Sequence, residues 1–141
     1  MSDPYDLDRF VRAQENSYER ALSEIRNGRK RSHWMWYVFP QIAGLGFSPM
    51  SQHYAIKSLA EARAYLAHPV LGPRLMTSME TLLNLEGRSA DEVFGYPDTM
   101  KLRSCATLFA AASPADSAFH RLLDRYFEGE KDATTIRLLR Q

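Results

Sequence analysis

The chain has 141 residues, 45% hydrophobic and 25% charged, the mixture of a folded domain rather than a disordered or fibrous chain, and long enough to bury a core without disulfide or metal staples. Eighteen Lys and Arg against 17 Asp and Glu leave a formal charge of +1, far below the positive field of non-specific nucleic-acid binding, so no specific nucleic-acid binding is expected. One cysteine, Cys105, excludes an internal disulfide and a cysteine-based zinc site. The acidic start lacks the basic-then-apolar pattern of a leader and no apolar run reaches a membrane-spanning length, so a cytoplasmic protein away from the membrane is expected.

In chain order, Asp3-Pro4 sets a capping residue before a proline, the arrangement that opens a helix. Leu7, Phe10, Val11, Tyr18, Ala21, Leu22 and Ile25 recur at steps of three and four, predicting one amphipathic helix from about Asp6 to Asn27, stopped by Asn27-Gly28. Gln14 interrupts that stripe, and an amide on a packed face must find a partner, in a neighbouring turn or in a polar pocket. The run Trp36 to Phe39 has strand character, but one short run cannot make a sheet.

Ser48-Pro49 opens a further helix, and Ser58 with Glu61 and Ser89 with Glu92 have the spacing of a capping box. Leu75, Met76, Met79, Leu82 and Leu83 before Gly87 form a core helix, as do Phe119, Leu122, Leu123, Tyr126 and Phe127 before Gly129. Leu102, Cys105, Phe109 and Ala112 form another stripe with Asp98 as its candidate cap. Ser113-Pro114 marks one more start, and Asp132 caps a last short helix carrying Ile136, Leu138 and Leu139. The expectation is an all-α fold, a compact single domain over residues 1–141 with about seven or eight short helices.

The segment from Arg26 to Gln41, RNGRKRSHWMWYVFPQ, sets four basic residues before an aromatic block. Fixed cations suit a phosphate and flat rings suit a base or sugar, which would make this a nucleotide-like site. The alternative is a structural role, with Arg29, Lys30 and Arg31 complementing the end of the first helix and Trp34, Trp36, Tyr37 and Phe39 filling core. Histidine is the residue type suited to general acid–base work near neutral pH, but His33 has no Ser, Cys or carboxylate at a diagnostic spacing. His33, His53, His68 and His120 match no ligand spacing, so neither metal nor cofactor is expected. Lys101 and Ser104 share a helical face one turn from Asp98, which suits an anion or, alternatively, a solvated face with a local Asp98–Lys101 pair. Cys105 lies on the apolar line with Leu102 and Phe109 and is expected to be an inert core thiol.

These stretches also carry a resemblance. Arg9-Phe10 with Ala13-Gln14, Ala21-Leu22 and Glu24-Ile25, the run Ser32 to Gln41, Gly44-Leu45-Gly46 and the Ser48 to Ile56 segment begin the pattern. Ala64-Tyr65-Leu66 with His68-Pro69, Phe94-Gly95, and Asp98 with Lys101-Leu102-Arg103-Ser104 continue it to Phe109. Together they resemble the bacterial family known as domain of unknown function 1810. The resemblance implies a small all-helical fold and assigns no activity. A second Ser and a Met usually follow Ser104 in that family, where this chain has Cys105-Ala106, so no role is carried over to position 105.

Two functional classes follow, and no reaction can be named for either. In the first, Arg31, His33, Trp34, Trp36, Gln41, Lys101, Arg103 and Ser104 line one pocket for an anionic, phosphorylated small molecule such as a nucleotide derivative, which requires two distant segments to converge. In the second, the protein is a helical interaction module engaging an unidentified protein partner, which requires Trp34 or Trp36 exposed in an apolar patch.

Overall fold

In a computed structural model, which describes residues 3–140, the chain forms ten helices among the described residues. They are α1 (Asp8–Gln14), α2 (Tyr18–Arg26), α3 (Met35–Val38), α4 (Pro49–His53), α5 (Leu59–Ala67), α6 (Leu71–Asn84), α7 (Ala90–Val93), α8 (Asp98–Ala111), α9 (Ala118–Phe127) and α10 (Ala133–Leu139). The helical class is as expected; the count of seven or eight is too low. Two sources account for the excess: the first predicted helix is divided, and α3 is too short to show a period. No strand occurs among the described residues, and the backbone pairs in β fashion only at an isolated parallel bridge between Ile42 and Ile56.

The Asp3 carboxylate accepts the N–H of Leu7 at 2.9 Å and of Asp8 at 3.0 Å. It serves as a cap, but a turn at Pro4-Tyr5 and a left-handed Asp6 separate it from α1, so Pro4 is not the first helical residue. The break between α1 and α2 falls at Glu15 to Ser17, where Asn and Ser offer the backbone alternatives to helix. The stripe continues across the break because Phe10, Ala21 and Ile25 all still face the core. Gln14 is buried at the break and satisfied: its amide donates to the Tyr37 carbonyl at 2.7 Å and the Tyr65 hydroxyl at 3.1 Å.

After α2, Gly28 at φ 75° lets its own N–H reach the Ile25 carbonyl and that of Arg29 reach Glu24, a Schellman closure. Ser48, Ser58, Ser89 and Asp132 cap as expected, with the reciprocal box complete only at Ser89 and Glu92. At Ser58 the Glu61 carboxylate turns instead to the Lys57 N–H and to Arg9. Ser113-Pro114 does not open a helix: it makes a turn, and Ser117 caps α9. Asp98 is not a cap either, because Pro97 holds that place and the carboxylate faces two lysines.

Helix α8 crosses the core, burying Leu102, Cys105, Ala106, Leu108 and Phe109 against α5, α9 and α10. Gly72 lets α6 start close under the end of α5, since a Cβ there would lie 2.1 Å from the Leu66 carbonyl oxygen. Arg9 donates all five of its N–H groups, to the carbonyls of Tyr5, Asp6, His53 and Ala55 and to the Glu61 carboxylate. No helix among the described residues is long and apolar enough to cross a membrane.

Candidate functional site

The basic-aromatic segment is shaped from behind by Glu24 on α2. Its carboxylate accepts from the Arg31 N–H at 2.7 Å, the Ser32 N–H at 2.9 Å, the Ser32 hydroxyl at 2.6 Å and the Trp34 indole N–H at 2.8 Å. Burial alone would push this carboxyl up, but the Ser32 hydroxyl, the two backbone N–H groups and the indole hold it down at about 2. The loop from 30 to 34 is thereby pinned. Its Lys30 N–H also bonds the Val93 carbonyl at 2.7 Å, tying the loop to α7.

From this anchored loop Lys30 reaches α8, placing Nζ 2.9 Å from Asp98, and Lys101 meets the same carboxylate at 3.1 Å. Burial works against the charge on Asp98, and hydrogen bonds from Lys30 and Lys101 outweigh it, so its pKa is lowered. Lys101 also lies 4.1 Å from the centre of the Trp36 ring, and Lys30 5.1 Å from that of Trp34. The two segments singled out in the sequence therefore meet.

Trp36, half-buried, is the shared wall of three adjoining depressions. The most enclosed, about 110 Å³, runs under the loop 41–46 toward Tyr54, Ala55 and Lys57. The second, about 230 Å³, lies between Gln41, Leu45 and Gly46 on one side and Pro97, Met100, Lys101 and Ser104 on the other. The third, about 240 Å³, is lined by Lys30, His33, Met50, Asp98 and Lys101, so His33 and Lys101 share one volume. Gln41 belongs to the first two, and its Nε2 is buried without a hydrogen-bond partner among the described residues.

Of the eight candidate residues, the structure gathers His33, Trp36, Gln41, Lys101 and Ser104 around this cleft. Ser104 is 6% exposed and donates its hydroxyl proton to the Met100 carbonyl, leaving its oxygen as an acceptor. Trp34 touches the third depression but is 1% exposed, with its N–H spent on Glu24 and its ring set against Phe39 and Phe94. It is core. Arg31 is exposed and lines none of the three depressions; its backbone, not its guanidinium, makes the bond described above. Arg103 turns toward Asp132, 3.8 Å away, and is also outside.

Sequence reasoning missed Leu45, Gly46, Tyr54, Pro97 and Met100 as walls of the cleft. The doublet Gly44-Leu45-Gly46 was the available signal: a Cβ on Gly46 would stand 2.9 Å from the Ser51 hydroxyl, so this loop lies close against α4. Two exposed aromatics, Phe47 at 83% and Tyr96 at 84%, are chain neighbours of the lining residues Gly46 and Pro97. Cys105 is fully buried, and burial pushes its thiol well up, an inert setting. Among the described residues no group of three His, Cys, Asp or Glu is placed to hold a metal ion.

The sequence matches the model of a family described as "Protein of unknown function (DUF1810)" over residues 4–139. No curated protein matches it. Among solved structures, the chain is similar to the conserved hypothetical protein Rv1873 from Mycobacterium tuberculosis, with 50% identity, 99% of each chain covered and a TM-score of 0.96.

Proposed function

The chain belongs to the DUF1810 family, and from that premise, which supplies a fold and no chemistry, we propose that it binds an anionic, phosphorylated, ring-bearing small molecule in the cleft walled by Trp36. The observation that carries this reading is the unpartnered Gln41 amide, buried where two depressions meet. Leaving such a group unpaired costs about 1 to 3 kcal/mol, which a ligand acceptor recovers on binding. The charge around it has the right sign: Lys30 and Lys101 exceed the single Asp98, with His33 beside them. Lys101 takes the anion, Trp36 offers ring surface, and Ser104 accepts a hydrogen bond from the ligand.

Thermal-shift screening against nucleotides, sugar phosphates and ADP-ribose tests this. A ligand at a hundredfold excess over its Kd stabilises the native state by about 2.7 kcal/mol. Lys101→Ala should reduce the shift and Arg31→Ala leave it nearly unchanged, since Arg31 lies outside the cleft. No shift from any of these compounds refutes the reading.

Exposed Phe47 and Tyr96 support a second reading, a surface for a protein partner. It predicts that Phe47→Ser with Tyr96→Ser abolishes association with that partner while ligand shifts persist. A cytoplasmic location belongs to the same proposal, supported by a single cysteine kept buried.

A further inference from the structure

The cleft is divided by chemistry. Its enclosed end, between Trp36 and Tyr54, is walled mainly by Ile42, Leu45 and Ala55, with Lys57 at the exposed edge. The cations Lys30 and Lys101 stand at the other end, beyond Trp36. A ligand with one flat neutral part and one charged part fits this polarity with its ring inward and its phosphate toward Lys101, where Lys30 adds a second cation.

The polar side chains at the enclosed end are not equivalent. The Gln52 amide donates to the Phe47 carbonyl at 2.9 Å and the Ser51 hydroxyl to the Ser48 carbonyl at 2.9 Å, so both are engaged locally at the start of α4. Gln41 is different: its Nε2 is buried and unpartnered, although its backbone carbonyl is held by the Ile56 N–H at 2.8 Å. That backbone bond fixes where the side chain starts. A carboxamide offers a donor and an acceptor side by side. Adenine offers the complement on one edge, with N6–H donating and N7 accepting, whereas the same edge of guanine carries two acceptors and calls for two donors.

Resting on the reading of the cleft as an anion site, we infer that the ring is adenine: the enclosed depression holds the base, the Gln41 carboxamide reads its N6 and N7 edge, and the phosphate lies at Lys101. Guanine in the same pose sets its O6 against the Gln41 oxygen, two acceptors facing each other. The ligand is a free mononucleotide rather than an RNA segment, in keeping with a formal charge of +1 on the whole chain.

Isothermal titration of the protein with AMP, GMP, 7-deaza-AMP, a short oligoadenylate and inorganic phosphate tests this. AMP should bind at least about tenfold more tightly than GMP, and 7-deaza-AMP, which lacks the N7 acceptor, should lose about tenfold. Gln41→Leu should bring AMP and GMP together; the AMP-to-GMP ratio and the 7-deaza effect need no variant and stand if that protein fails to fold. Equal binding of AMP and GMP, or an unchanged affinity for 7-deaza-AMP, overturns the base assignment and leaves the anion site intact. Tighter binding of oligoadenylate than of AMP overturns the free nucleotide. Failure of every compound, phosphate included, overturns the anion site itself.

Discussion

Replacing Glu24 by Gln tests whether the loop bearing Lys30 and Trp36 is held from behind. The native carboxyl, held down at about 2 from an ordinary 4.5, is stabilised in its charged form by about 3 kcal/mol, at 1.36 kcal/mol per unit. Glu24 is 8% exposed, so solvent screens little of this. The sign follows from linkage: a depressed carboxyl contributes its full stability above pH 4.5 and loses it as pH falls through 4.5 toward 2. At pH 3 about 2 kcal/mol of the contribution is already gone. Urea unfolding followed by tryptophan fluorescence should therefore place Glu24→Gln about 3 kcal/mol below wild type at pH 7, with the gap narrowing by about 2 kcal/mol at pH 3. An equal gap at both pH values, or one under about 0.5 kcal/mol at pH 7, refutes the reasoning.

Gly72→Ala forces a methyl against the Leu66 carbonyl and should cost about 3 kcal/mol in chemical denaturation; a neutral result would mean that α5 and α6 separate freely. Gln14→Leu strands the Tyr37 carbonyl and Tyr65 hydroxyl and should lower stability by about 2 kcal/mol, measured the same way. The Cys105 thiol, buried and pushed up, should react with a thiol reagent only at the rate of unfolding; prompt stoichiometric labelling of native protein contradicts its placement.

The helix ends read correctly were those specified within four residues: Ser48, Ser58, Ser89 with Glu92, Asp132 and the Asn27-Gly28 closure. Proline was the ambiguous sign, because its fixed φ suits a turn as well as a first helical turn, and Asp3-Pro4 and Ser113-Pro114 both resolved as turns. The division of α1 from α2 was hidden by a hydrophobic stripe that continues in phase across it. At the site, the convergence of the aromatic block with the start of α8 was legible as polar residues interrupting clean core patterns. Which tryptophan faces the cleft was not, since Glu24, ten residues before Trp34, decides it. The far wall was equally hidden: Tyr54 and Ala55 reach the cleft through the pairing of Ile42 with Ile56, a non-local contact with no periodic trace.

Arg9 touches no ligand surface of the three depressions, yet its guanidinium holds the carbonyls on either side of Tyr54. The enclosed wall of the cleft and the start of α1, 44 residues apart in sequence, are thus one mechanical unit. Their amide protons are expected to exchange with solvent through a shared opening, and a ligand bound against Tyr54 will slow exchange in α1, far from anything it contacts.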